Sequence, residues 1–202
     1  MINPIYYKEK VELIMNVSEA ILTRRTIRKF MQKEIPIEAL RSLVDAARLA
    51  AHGGNIQPLK YSIVAGKELR EKVFETTRWA ACIPDGTPKE GERPVAYIMV
   101  YADETIKKEC MVDAGAAVTN IMLAAHEMGI GSCWIGSLNR VALREILQTP
   151  ENLKILYAVA LGYPAQKSRA VSWNGSFNYY LDEEQVVNVP KLSLETVLLD
   201  ER

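Results

Sequence analysis

At 202 residues, 49% of them hydrophobic, the chain is long enough to bury a sizeable core and fits one domain. Its 25 basic residues balance its 25 acidic ones, so no global field steers it toward nucleic acid or an anionic membrane. The longest apolar stretch, Val95–Ala102, is far below the roughly 18–20 residues of a membrane span, and Met1-Ile2-Asn3-Pro4 followed by Lys8, Glu9 and Lys10 lacks the apolar run of a secretory signal.

Cys82, Cys110 and Cys133 form no C-x-x-C pair, and with only His52 and His126 they give no metal-ligand spacing. An odd cysteine count suits a reducing compartment, with buried filler preferred over a reactive thiol. The expectation is a soluble cytoplasmic protein without a structural metal.

A first helix is predicted from Ser18, its cap, to about Leu22. A second starts at Pro36 and runs to Ala51, with Leu40, Leu43, Val44, Ala47 and Ala50 at three- and four-residue steps and Gly53-Gly54 as its stop. Tyr61–Val64 reads as a strand, Glu68–Thr77 as a helix and Trp79–Pro94, with its prolines and glycines, as a loop or lid. Val95–Tyr101 is a continuous apolar strand, read as central. Glu109–Met128 is the longest helix, with Met111, Gly115, Val118, Met122 and Ala125 as its apolar stripe. Its small-residue start, Ala114 to Ala117, admits a close helix, and Gly129 ends it.

A strand through Cys133–Ile135, a helix Val141–Leu147 and a strand Leu156–Leu161 follow, and the mixture predicts an α+β fold. Beyond Pro164, Lys167 to Arg202 is a long tail with a hairpin (Phe177–Leu181 and Gln185–Val189) and a short helix at Leu194–Leu198. Such a tail has little of its own domain to bury against, so it is expected to wrap a partner subunit; a mobile terminus is the alternative.

Four segments carry chemistry. Arg24, Arg25, Thr26, Ile27, Arg28 and Lys29 hold four cations in six residues, and Arg24 and Arg28 would share a face if helical. Two readings stand: a phosphate monoester bound by arginine forks and the Thr26 hydroxyl, or a solvated basic helix end. Lys167 and Arg169, after Gly162-Tyr163-Pro164, would close the other side of one phosphate site. In His52-Gly53-Gly54-Asn55-Ile56-Gln57-Pro58, Asn55 and Gln57 each carry a donor and an acceptor, which suits the polar edge of a flavin; polar turn residues after a helix stop are the alternative. In Gly129–Ser137 the glycines flank a short strand, letting main-chain N–H groups face a ring, and Trp134 would either stack or belong to the core.

Taken together these segments resemble the nitroreductase family. Arg24-Arg25-Thr26-Ile27-Arg28-Lys29-Phe30 is similar to its R-R-S-x-R-x-[FY] opening, and Asn55-Ile56-Gln57-Pro58 to its N-x-Q-P. Asp113-Ala114-Gly115-Ala116-Ala117 leads through Asn120 and Leu123 to Gly129–Gly136, and Gly162-Tyr163-Pro164 with Lys167-Ser168-Arg169 completes the set. The likeness spans about Ser18 to Arg169, in the family's order.

The resemblance implies an α+β fold of three layers, a central mixed, mostly antiparallel sheet flanked by helices. It also implies a single domain over 1–202, with an 18–169 cofactor core and a 170–202 extension, and a homodimer with FMN at the subunit interface. By motif position, Arg24, Arg25, Thr26 and Arg28 would hold the phosphate and ribityl chain, and Lys167 and Arg169 the rest of the phosphate. Asn55 and Gln57 would meet the polar edge of the ring, with Trp134 beside it and the backbone of Ile135 and Gly136 near its reactive nitrogen. Family members take electrons from NAD(P)H and pass them, ping-pong, to nitroaromatics, quinones or similar acceptors, with no side chain required as acid or base. Ala51-His52 and Leu59 depart from the family pattern where the acceptor would bind. A different flavin reaction (enone reduction, dehalogenation, flavin-linked oxidation) or non-catalytic FMN storage is the alternative.

Overall fold

The computed structural model describes residues 15–202; the N-terminal residues bearing on a leader lie outside that range. Two long strands form the centre. Strand β3 (Ala96–Asp103) runs antiparallel to β5 (Leu153–Pro164), with a register shift at Val100/Tyr101. Every residue of β3 is buried, which is why its sequence shows no polar alternation: both faces of the sheet are covered. Strand β2 (Leu59–Val64) pairs with β3, while β4 (Gly131–Ile135) and the short β1 (Phe30–Met31) pair with β5, all antiparallel.

Helices cover both faces. On one side Ile98, Val100, Val159 and Leu161 pack against α2 (Ile37–Arg48) and α4 (Met111–Glu127). On the other, Tyr97, Met99, Ala158 and Ala160 meet Val73 of α3 (Lys67–Glu75) and Leu143 of α5 (Arg140–Ile146). The result is the three-layer α+β arrangement expected, with an antiparallel main sheet.

Local differences have local causes. Helix α1 (Val17–Thr23) is capped by Asn16, whose Oδ1 accepts the Glu19 N–H at 2.9 Å, and not by Ser18. Helix α2 ends at Arg48, before Gly53–Asn55, which form a separate 3-10 turn. Strand β5 is longer than its apolar run because its two edges serve different partners, β3 on one and β4 on the other. The apolar stripe of α4 is misplaced at one end: Met111 is 55% exposed, while Ala114, Ala117 and Ile121 are fully buried beside Val118, Met122 and Ala125. That helix packs against both the sheet and α2, so its buried face is wider than one stripe. Its small residues do admit a close neighbour, and Asn120 Nδ2 donates to Ala46 O of α2 at 3.0 Å.

The first part of the tail also departs from expectation. The hairpin forms, as β7 (Tyr180–Leu181) with β8 (Val187–Lys191), but β8 pairs in parallel with β6 (Ser168–Ser172) as well. Val186, Val187 and Asn188 are thereby buried on their own chain. Beyond them, the short α6 (Leu194–Val197) and Leu198 and Leu199 stay exposed.

Candidate functional site

Helix α1 delivers the basic cluster and then releases it. Arg24 is its C-cap, and the next residues extend: Thr26 forms a parallel bridge to Ser132, and the Ile27 N–H donates to Ser132 O at 2.9 Å. Arg24 and Arg28 therefore share no helical face, because pairing with β4 captures this backbone. The approach is close enough that a Cβ on Gly131 would lie 2.9 Å from Ile27, so glycine is required there.

The four cations disperse. Arg25 donates to the carbonyls of Leu22 and Arg24, satisfying the end of α1. Arg28 stacks over the Tyr179 ring at 4.4 Å. Lys29 pairs with Glu92 at 3.1 Å. Only Arg24 and Arg25 line a cavity of about 640 Å³, whose far wall is Gln166, Lys167, Ser168 and Arg169. The two basic segments, well separated in sequence, thus line one cavity, while Thr26 and Arg28 lie outside its lining.

This cavity has the chemistry of an anion site. Arg24 Nη1, Arg25 Nε, Gln166 Nε2 and Ser168 Oγ are buried with no hydrogen-bond partner among the described residues. Unpaired buried donors are costly, and four around one cavity match the several acceptor oxygens of a phosphate monoester. Burial, then the neighbouring Arg25, lowers the Arg24 guanidinium from its ordinary value, as expected of a cation awaiting a counter-charge. Arg169 is partly committed: Nε donates to Asn188 Oδ1 and Nη2 to Asp182 Oδ2, each at 2.8 Å, which ties it to β8 and to the turn before it. Gln166 is held by its other end, Oε1 accepting the Lys29 N–H at 3.0 Å.

Gln166, Ser168 and His126 were not anticipated from sequence. The uninterrupted polar run Gln166 to Arg169 after a buried strand was a signal for the first two; for His126 there was none. His126, in the last turn of α4, places Nε2 2.8 Å from Thr23 Oγ1, whose own hydroxyl donates to Glu19 O at 2.7 Å. With that hydroxyl spent, the ring must donate from Nε2.

The second set of candidates sits at the other end of α4. Asn55 and Gln57 are exposed and both hold left-handed backbone, φ 55° and 54°, uncommon for residues with a side chain. Their loop is anchored where the Gly53 N–H donates to Asp113 Oδ1 at 2.9 Å, while Lys107 Nζ bonds Oδ2 at 2.7 Å. Lys107, then the Gly53 N–H, holds the Asp113 carboxyl below the usual range. The His52 ring is tied to Ala50 O at 2.8 Å.

Trp134 is not core: it is 36% exposed, edge-on to Tyr157 with ring centroids 5.0 Å apart, and reaches Gly115 of α4. Ile135 is buried, and Gly136 leaves room for the Tyr157 ring. The adjacent Cys133 is a buried thiol pushed up to about 11 by burial, so it carries little thiolate at neutral pH. Asp113 and Gly115 are two residues apart, about 200° around a helix, so the Asn55 loop and Trp134 contact nearly opposite faces of α4. One cavity therefore gathers Arg24, Arg25, Lys167 and Arg169, and none of Asn55, Gln57, Trp134, Ile135 and Gly136 lines it.

Among the described residues no helix is long and apolar enough to cross a membrane, and no cluster of three His, Cys, Asp or Glu could hold a metal.

Comparison with known proteins places the chain among relatives of one family. A protein of Archaeoglobus fulgidus named as an NADH dehydrogenase/NAD(P)H nitroreductase is 34% identical over 166 residues, covering 78% of this chain and 91% of its own. The FMN reductase (NADPH) of Bacillus subtilis is 30% identical, covering 76% and 68% respectively. The crystal structure of a Desulfovibrio desulfuricans protein described as a nitroreductase in complex with FMN superposes with a TM-score of 0.69, at 27% identity, over 92% of this chain and 96% of its own. The sequence profile of the nitroreductase family matches residues 21–163, and the chain belongs to that family.

Proposed function

We propose that this chain is a cytoplasmic, homodimeric FMN-dependent oxidoreductase that moves electrons from NAD(P)H to nitroaromatic, quinone or similar electron-poor acceptors. The observation that carries the reading is the cavity between Arg24 and Lys167–Arg169, where four buried donor atoms lack partners. Relatives named as an FMN reductase and as NAD(P)H nitroreductases support the same cofactor and electron donor.

In this reading Arg24, Gln166, Lys167, Ser168 and Arg169 hold the phosphate, with Arg25 fixing the helix end behind them. Thr26 and Arg28 border the ribityl chain, Arg28 exchanging its Tyr179 contact for it. Trp134 and the backbone of Ile135 and Gly136 flank the ring, and Asn55 and Gln57 come to its polar edge from the partner subunit. Bound there, FMN supplies the electron relay between the nicotinamide and the acceptor in turn. The protein's part is to bind, orient and exclude water.

The same reading treats the chain as one domain, with residues 170–202 as an extension whose end contacts the partner. Exposed apolar side chains support a dimer: Val17, Ile21 and Leu22 on α1, Met111 and Val112 at the start of α4, and Leu194, Val197, Leu198 and Leu199 in the tail.

The test is direct. Purified protein incubated with FMN should keep a flavin absorption spectrum through gel filtration and scatter light as a dimer at micromolar concentration. Anaerobic NADH or NADPH should bleach that spectrum, and a quinone or nitroaromatic should restore it. Protein that retains no flavin, or a flavoprotein that neither nicotinamide bleaches, overturns the proposal.

A further inference from the structure

We propose that His126 is a proton-linked ligand of the cofactor phosphate: neutral in the cofactor-free protein, it takes up a proton as FMN binds. The inference rests on reading this cavity as the phosphate end of the FMN site.

The geometry leaves the ring one open position. Nε2 is spent on Thr23, whose hydroxyl donates its own hydrogen bond to Glu19 O and so cannot turn to serve another group. Nδ1 makes no hydrogen bond among the described residues, and the ring lines the cavity beside Arg24 and Arg25. Protonation would place an N–H on Nδ1 and turn the ring into a second donor on that wall.

The surrounding charges decide when that happens. From α1 and the residues after it, Arg24 and Arg25 oppose the imidazolium and Glu19 favours it. Across the cavity stand Lys167 and Arg169, against Glu184. The C-terminal end of α4 favours a cation, but burial and the arginines outweigh it, and the ring is held below its ordinary value. A phosphate dianion among the same groups reverses the sign of the local field, so bound FMN raises the His126 pKa. Between the two values, each FMN bound takes up a proton, and affinity falls as pH rises, by at most about tenfold per pH unit. The phosphate's own second ionisation, near pKa 6, works in the opposite direction, so the effect is read above about pH 6.5.

The experiment is calorimetric titration of the protein with FMN and with riboflavin between pH 6.5 and 8, in buffers of different ionisation heat. Wild type should take up a fraction of a proton per FMN near pH 7 and none per riboflavin. His126→Gln, whose amide can still donate to Thr23, should show no uptake and a flat FMN affinity over that range, close to the wild-type affinity at pH 8. NMR of the His126 ring in wild type gives an independent reading, with its pKa rising when FMN is added. FMN favoured over riboflavin, but with no uptake in wild type or with the same uptake in the variant, overturns the role of His126 alone. FMN and riboflavin binding equally overturns the phosphate reading of the cavity, and the inference with it.

Discussion

The two ends of the candidate cofactor site are built in opposite ways. The phosphate end is assembled within one chain: α1 ends at it, α4 ends beside it, β4 begins there and the β5–β6 turn closes it, with buried donors waiting. The ring end is divided. Asn55 and Gln57 are exposed on a strained loop anchored to Asp113, while Trp134 lies against Gly115 of α4 and Gly136 against Tyr157. The difference teaches that one chain by itself lines an anion site, whereas in the dimer we propose a second copy would complete the ring site. Desolvated donors must be held rigid by the chain that owns them, while a planar ring can be sandwiched between two surfaces.

The largest expected effect comes from removing a phosphate-end donor. Arg24→Ala should weaken FMN by about 1.5–3 kcal/mol, the usual range for a charge-assisted hydrogen bond, and leave riboflavin nearly unchanged. Equal losses for both ligands, measured by fluorescence quenching, would remove the contrast between the two ends.

Next is the packing that positions this end. Gly131→Ala puts a methyl group 2.9 Å from Ile27, which is seated by its backbone bond to Ser132 and cannot simply swing away. Overpacking of this kind costs about 1–3 kcal/mol, seen as a lower urea midpoint with unchanged slope. An unaffected midpoint would mean that β4 tolerates displacement and the cavity wall is softer than argued.

A smaller effect is expected at the ring end. Asn55→Ala should cost about 0.5–1.5 kcal/mol, equally for FMN and riboflavin. Mixing sharpens the comparison: a dimer of one Arg24→Ala chain and one Asn55→Ala chain should contain one native-affinity site and one doubly impaired site. If both ends belong to one chain, no native-affinity site appears in the mixed dimer.

The smallest concerns acid sensitivity of the loop anchor. Because the folded Asp113 carboxyl is held below its unfolded value, it favours folding above about pH 4 and loses that contribution as pH falls through the lower folded value. Asp113→Asn keeps an oxygen acceptor for Gly53 but not the Lys107 pair, so its stability should vary less with pH than wild type between about pH 5 and 2. Parallel pH profiles would show that Lys107 contributes nothing there.

Much of this molecule was written locally. The buried run of β3, the three- and four-residue steps of α2, and Gly129 ending α4 at φ 70° each follow from neighbours in sequence, because helix and strand periods and turn stereochemistry are short-range properties. The basic cluster and the Lys167–Arg169 pair were legible as chemistry for the same reason: like charges packed together require an account. Only the tertiary structure decided which of those charges face a common cavity. Pairing with β4 turned the Arg24–Arg28 segment from helix to extended chain, sending Arg28 to Tyr179 and leaving Arg24 unpaired. It also recruited Gln166, Ser168 and His126, whose residue types are ordinary until they line one cavity, the first two with buried donors left unpaired. The parallel pairing of β6 with β8 and the wide buried face of α4 were set the same way. Which strand meets which, and which donor is left without water, depends on contacts between residues far apart in the chain, and no local pattern encodes those.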